Sequence, residues 1–156
     1  MGESKYGKYV ISERRFDSRD AALPPGVDPE SVTNTMSHRK ILSLDDYVLK
    51  GSSYIEAVWM WPGGSDVYPE VAEPYSHAHD YDETLGFFGT DTDNPYELGG
   101  EIEFWLEDEK FLLTKSCLIF IPKGMHHCPL VIHKIETPIF HFSGGPGAAY
   151  SQELGK

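Results

Sequence analysis

An all-β fold closed as a small barrel or sandwich is what three observations predict. The 156-residue chain carries 15 Gly and 11 Pro, residues that punctuate elements rather than extend them. Its apolar residues fall in short runs, most of them four to seven residues long, each bounded by Gly, Pro, Asn or Asp. Internal repeats, heptads and low-complexity tracts are absent, so nothing argues for a solenoid or a coiled coil. Regularly spaced short strands in a chain of single-domain length pack as two antiparallel layers around one core.

Residues 1–50 read as an N-terminal arm, 51–142 as the barrel and 143–156 as an irregular tail. Within the arm, Lys8-Tyr9-Val10-Ile11 suits a short strand, and Asp17 to Pro29 reads as an extended connector because of Pro24, Pro25, Gly26 and Pro29. Such an arm either packs on a partner subunit or forms a loose tail. Ser43-Leu44-Asp45-Asp46-Tyr47 has the pattern of a capped helical turn. Ser53 to Trp61 (SYIEAVWMW) is rich in aromatic and β-branched residues and is stopped by Pro62-Gly63-Gly64, which marks the first barrel strand. Further strands are expected at Tyr75 to Asp80, Glu83 to Phe88, Gly100 to Leu106, Lys110 to Leu113, Cys117 to Ile121, Leu130 to Glu136 and Ile139 to Phe142. Gly89 to Gly99 is a long polar hairpin loop. In Gly100 to Leu106, alternation puts Ile102, Phe104 and Leu106 on one face, which must be the core side.

The formal net charge is −12, and it is unevenly placed: residues 1–50 balance 8 basic against 8 acidic side chains, whereas 51–156 hold 5 against 17. Gly51 to Glu109 contains no Lys or Arg. A field of that sign repels phosphates and anionic headgroups, which excludes nucleic acid and membrane surfaces as natural partners. No run approaches the roughly 18 apolar residues of a membrane span. Met1 to Val10 is too polar for a signal peptide, so a cytoplasmic location is expected. Gly2 does not open a myristoylation motif, because Tyr6 stands where Ser or Thr is required. Cys117 and Cys128 are too few and too far apart for a disulfide framework or a CxxC site.

The chemistry lies in two segments. Tyr75-Ser-His77-Ala-His79-Asp-Tyr-Asp-Glu83 sets two histidines two residues apart, on one face of a strand, with a carboxylate four residues on. Imidazole and carboxylate together suit Fe(II), Mn(II), Ni(II), Zn(II) or Cu(II). Downstream, Ile119-Phe-Ile-Pro122-Lys-Gly124-Met-His126-His127 runs a strand into a Pro-x-Gly turn that delivers a histidine onto the next strand. Cys128 faces away from His127 under strict alternation, and joins it only if the strand is bulged.

Together the two segments resemble the paired motifs of the cupin superfamily, Gly-x5-His-x-His-x3/4-Glu-x6-Gly and Gly-x5-Pro-x-Gly-x2-His-x3-Asn. The resemblance covers about residues 51–142. His77, His79 and Glu83 match the first motif, and Pro122, Gly124 and His127 match the second. The chain departs from the pattern at four turn or scaffold positions: Val71, Gly89 (one residue short), Ser116 and Val131. The resemblance implies a double-stranded β-helix (jelly-roll) barrel holding one divalent metal ion, Fe(II) favoured, on His77, His79, Glu83 and His127. The family spacing selects His127 over its neighbour His126.

Leu85 and Phe87 share parity with Glu83 and line the same cavity, while Tyr54, Trp59, Tyr75 and Tyr81 are available to shape it. His133 and His141 are further polar candidates, His141 for proton transfer or substrate contact. The expected function is a metalloenzyme of Fe(II) dioxygenase type acting on a small metal-chelating molecule. The alternatives are a Lewis-acid isomerase, lyase or decarboxylase, and a binding protein without catalysis. An anionic substrate needs Lys110, Lys115, Lys123, Lys134 or an N-terminal arginine to meet its charge, so a neutral or chelating one is preferred. A homodimer is expected, both from exposed sheet edges and from the resemblance.

Overall fold

Short alternating runs separated by turns pair into two antiparallel sheets facing one another. The computed structural model describes residues 4–35, 37–63, 67–147, 149–150 and 153–154. Gly2, Gly64 and part of the tail lie outside the described residues. The strands are β1 (His38–Leu44), β2 (Tyr54–Met60), β3 (Glu70–Glu73), β4 (His77–Ala78), β5 (Glu83–Gly89), β6 (Glu97–Leu106), β7 (Glu109–Lys115), β8 (Cys117–Ile121), β9 (His127–Ile135), β10 (Ile139–Gly145) and β11 (Glu153–Leu154). One sheet has the order β1-β2-β10-β5-β8; the other runs β11-β4-β9-β6-β7, with β3 paired to β9. This is the double-stranded β-helix anticipated from the motifs.

Between the sheets, Met60, Phe87, Leu98, Ile102, Phe104, Ile121, Ile132 and Ile139 are almost wholly removed from water. Ile102 and Phe104 point inward as alternation requires, and Leu106 packs at the core margin. At the other end of the barrel the inner face of the first sheet is polar. Lys40 and Ser43 of β1, Glu56 of β2, Glu83 of β5 and His141 of β10 are all buried there. The outer face of the same sheet is correspondingly apolar. In register across β2, β10, β5 and β8 lie Ala57, Phe142, Gly86 and Leu118, flanked by the row Ile55, Gly144, Thr84 and Phe120 and by Trp59, Phe140 and Phe88. None of these positions is charged; the charge on this face is Arg39 of β1, exposed and in register with Trp59.

The structure departs from the sequence expectation in several segments: β3 was not expected, and β10 and β11 put strand into the tail read as irregular. Residues 7–9 form a 3-10 turn rather than a strand. The turn expected at Ser43 to Tyr47 begins only at Asp45, because β1 runs through Leu44 and pairs with β2; the sheet thus starts inside the segment read as the arm. The strand expected over Tyr75 to Asp80 is reduced to His77–Ala78. The connector is not extended: it carries α1 (Ser18–Ala21) and α2 (Pro29–Thr33), and α1 packs on the chain's own barrel. Asp17 caps α1 in a reciprocal capping box with Asp20. The same Asp17 carboxylate takes a 2.7 Å ion pair from Lys40 and a 2.5 Å hydrogen bond from the Ser43 hydroxyl, all three groups buried. Asp45, also buried, accepts the Ser18 N–H at 2.8 Å.

Candidate metal centre

The site sits at the polar end of the barrel, where β4, β5 and β9 converge. β4 pairs with β9 at His77 and His127, which sets these rings 4.3 Å apart. His79 lies one step beyond β4, its ring 5.0 Å from both His77 and His127. Glu83 opens β5, and its Oε2 stands 3.2 Å from His79 Nε2 and 3.2 Å from His127 Nε2. All four side chains are buried. His126 is half-buried, its N–H bonded to Glu107, and belongs to no cluster of ligand atoms.

The backbone fixes which nitrogen faces the site. A carbonyl only accepts, so His77 Nδ1–H donates to Tyr75 O at 2.9 Å and His127 Nδ1–H donates to Met125 O at 3.2 Å. In the neutral rings Nε2 is then a bare lone pair. His127 presents that lone pair to the Glu83 carboxylate, acceptor against acceptor, an arrangement that needs a proton or a cation between them. A divalent metal fits this donor set. Burial raises the Glu83 carboxyl, but its close contacts with His127 and His79 outweigh that and hold the pKa at about 2. For His77, burial dominates and holds the ring down to about 4.

Donor atoms within 4.8 Å of one another define two buried triads, His79–Glu83–His127 and His77–His127–Cys128. The second corrects the expectation that Cys128 faces away. Between β6 and β9 the register passes from Leu106↔His127 to Phe104↔Leu130, so three steps of β9 oppose two of β6. That is the bulge on which the cysteine's inward placement depends. Cys128 takes φ +72° to make it. Burial, with Glu73 and Glu83 nearby, pushes its thiol well above the ordinary range.

The centre opens into a cavity with two adjoining lobes of about 90 Å³ and about 170 Å³, both lined by Arg19, Glu56, Glu73, Leu130 and His141. His141 Nδ1–H donates to Gly86 O at 2.8 Å, and the ring stacks on Phe87 at 4.2 Å. Burial, only partly opposed by that hydrogen bond, keeps this imidazole neutral, with a pKa of about 4. Leu85 and Tyr54 line the lobe at the cluster, and Tyr81 stacks on His79 with the rings 5.0 Å apart. His133 instead pairs with Glu103 at the surface, Trp59 packs against Phe140 on the outer face, and Tyr75 is exposed.

Two cavity residues were not legible as such. Arg19 enters from α1 and bonds Glu56 at 3.2 Å and Glu73 at 3.5 Å. Tyr150 comes from the tail read as irregular; its ring lies 4.5 Å under the Arg19 guanidinium and 5.3 Å from His79. Tyr150 N–H donates to Ser18 Oγ at 2.9 Å, so the segment after β10 meets α1 over the centre. An N-terminal arginine was available by charge, but only the docking of α1 makes Arg19 part of the site.

No protein-family model matches the chain, and no curated protein sequence matches it. Solved structures do match in fold. A variant of oxalate decarboxylase from Bacillus subtilis superposes with a TM-score of 0.50 at 14% identity, over 78% of this chain and 29% of that one. Oxalate oxidase gives 0.48 at 14% identity, over 78% and 56%. A double-stranded β-helix protein from Klebsiella pneumoniae gives 0.47 at 14% identity, over 85% and 99%. This chain therefore spans about half the length of oxalate oxidase and under a third of the decarboxylase. The fold is that of the cupins, a double-stranded β-helix with a buried His, Glu and Cys cluster of metal-binding type. No helix among the described residues is long and apolar enough to cross a membrane.

Proposed function

We propose that the chain holds one divalent metal ion on His77, His79, Glu83 and His127, and that it is a metalloenzyme acting on a small metal-chelating organic molecule. Fe(II) is the favoured ion over Mn(II), Ni(II), Zn(II) and Cu(II), and dioxygenase-type oxidation the favoured reaction. The observation that carries the reading is the Nε2 lone pair of His127 facing the Glu83 carboxylate at 3.2 Å, both side chains buried. When bound, Fe(II) would supply activation of O₂ and a chelation point for the substrate.

The chain's own side chains do the rest. Tyr81, Tyr150 and Phe104 surround the histidine rings with apolar surface that excludes water. The two cationic side chains that line the cavity, Arg19 and Lys40, are already matched by Glu56, Glu73 and Asp17. That supports a neutral or chelating substrate over a free anion. His141, neutral and with Nδ1 committed to Gly86, keeps Nε2 as a proton acceptor.

A Lewis-acid isomerase, lyase or decarboxylase is the second reading. It is favoured by the presence of a second candidate base, Glu73, whose carboxyl burial raises. We also infer a homodimer, supported by the uncharged outward strip that β2, β10, β5 and β8 make on the first sheet.

Elemental analysis of the isolated protein beside a His79→Ala variant tests the ligand set; equal metal content in both would end it. Oxygen uptake by the Fe(II) form against thiols, catechols and β-diketones tests the oxidative reading. Turnover that continues without oxygen selects the second reading, and tight binding without turnover selects a binding protein.

A further inference from the structure

We propose that Cys128 is itself a metal donor. With His77 and His127 it makes a sulfur-bearing set that takes thiophilic ions such as Zn(II) and Co(II), alongside the oxygen-bearing set of His79, Glu83 and His127 that suits harder ions such as Mn(II). The inference rests on the metal-centre reading above and adds which ions that centre discriminates.

Three observations lead to it. First, one ligand atom each of His77, His127 and Cys128 lies within 4.8 Å of the other two, and all three residues are buried. Bonds of about 2.0–2.3 Å to a tetrahedral zinc-like ion set donors roughly 3.3–3.8 Å apart, so atoms at the outer limit draw together by about 1 Å on binding. Second, β9 abandons alternation to achieve this. His127 and Cys128 are consecutive, yet both belong to the site, because the β6–β9 register gains a residue between Leu106↔His127 and Phe104↔Leu130. Third, the residue that absorbs the bulge is Cys128, at φ +72°. A side chain bearing a Cβ is disfavoured there, and an apolar filler facing the core of a regular strand has no need of it. Strain kept at a candidate site is a pointer to function.

His127 is common to both triads, so the two sets compete for one ion rather than hold two. Thiolate softness then sorts the ions: sulfur favours zinc-like metals, and carboxylate favours manganese. On binding, the Cys128 S–H bond breaks, its proton leaves to solvent and an Sγ–metal bond forms, with no change in oxidation state.

Co(II) titration reads this directly, because cobalt bound to thiolate has a near-ultraviolet charge-transfer absorption that nitrogen and oxygen donors do not give. The expected result is the absorption in the unmodified protein, its loss in Cys128→Ser, and its persistence in Glu83→Gln. In Cys128→Ser, Mn(II) binding should be unchanged while Zn(II) affinity falls by at least about tenfold, the lower end of what losing even a supporting contact costs. Should serine unsettle the buried site, Cys128→Ala removes the donor without adding a polar group, and a thermal melt of each variant confirms its fold. Stoichiometric Co(II) without the absorption, or an absorption that survives Cys128→Ser and so belongs to Cys117, overturns the inference and leaves the metal centre standing. No binding of Co(II), Zn(II) or Mn(II) to the unmodified protein overturns both.

Discussion

Single side chains in the centre are held by the backbone more than by one another. Carbonyls of Tyr75, Met125 and Gly86 take the Nδ1 protons of His77, His127 and His141, so all three rings turn Nε2 away from those backbone contacts. No spacing rule predicts these contacts, which arise where strands end or bulge. His141 shows the consequence for pH. Its folded pKa is about 4 against an ordinary 6.5. Above pH 6.5 both folded and unfolded rings are neutral. Between 6.5 and 4 the unfolded chain binds a proton that the folded one does not, so stability falls as pH falls, and below 4 the loss is complete. The gap corresponds to about 3 kcal/mol. Urea unfolding at pH 7 and pH 4 should show the unmodified protein losing about that much more than His141→Asn, whose amide can still donate to Gly86. Parallel losses would mean that the ring is not kept neutral by burial.

At the scale of elements, the site depends on two segments that alternation could not place. One is the bulge in β9; the other is α1, which carries Arg19 into the cavity only because Asp17 and Asp45 fasten it to the barrel. Lys40 is almost wholly buried, with Asp17 at 2.7 Å, Asp20 at 3.7 Å and Glu56 at 3.9 Å. Removing Asp17 leaves that ammonium without its nearest partner, which typically costs about 3–5 kcal/mol. Asp17→Ala should therefore unfold at distinctly lower denaturant and become cleavable by protease near α1. Adding Lys40→Met should recover much of the loss, and an unchanged midpoint in Asp17→Ala would show that the pair does not hold the arm.

The same scale explains what was legible. β2, β5 and β8 fall where apolar alternation put them, since each has one wet and one dry face. His77, His79, Glu83 and His127 were placed by motif and do converge. β1 was hidden because its inward residues, Lys40 and Ser43, are polar, and periodicity reports hydrophobicity rather than burial. The four departures from the cupin pattern fall into two neighbouring pairs. Val71 opposes Val131 across β3 and β9, and Gly89 N–H donates to Ser116 Oγ at 3.0 Å. Each pair exchanges one local solution for another without touching the ligands.

For the molecule as a whole, the first sheet is inverted at the site end: charged inside, apolar outside. The inner charges serve the cavity, and the outer face is left with Leu118 and Phe120 about 65% and 61% exposed and Phe88 and Ile55 also open to water. Contiguous apolar patches of this kind mark interaction sites. The molecule carries −12 overall, so two copies repel over most of their surface, and the strip of this face from β2 to β8, whose outward positions are uncharged, is where they can meet. Pairing that face with itself about a twofold axis covers the same residues on both copies and closes the assembly. α1 and Arg19 pack on their own barrel. In light scattering after size exclusion, the unmodified chain should run as a dimer, and a Leu118→Asp, Phe120→Asp double variant as a monomer with its metal content intact. Loss of metal on dissociation would instead make the partner copy a support for the centre. A monomer at every concentration of the unmodified chain would assign the face to a partner other than a second copy.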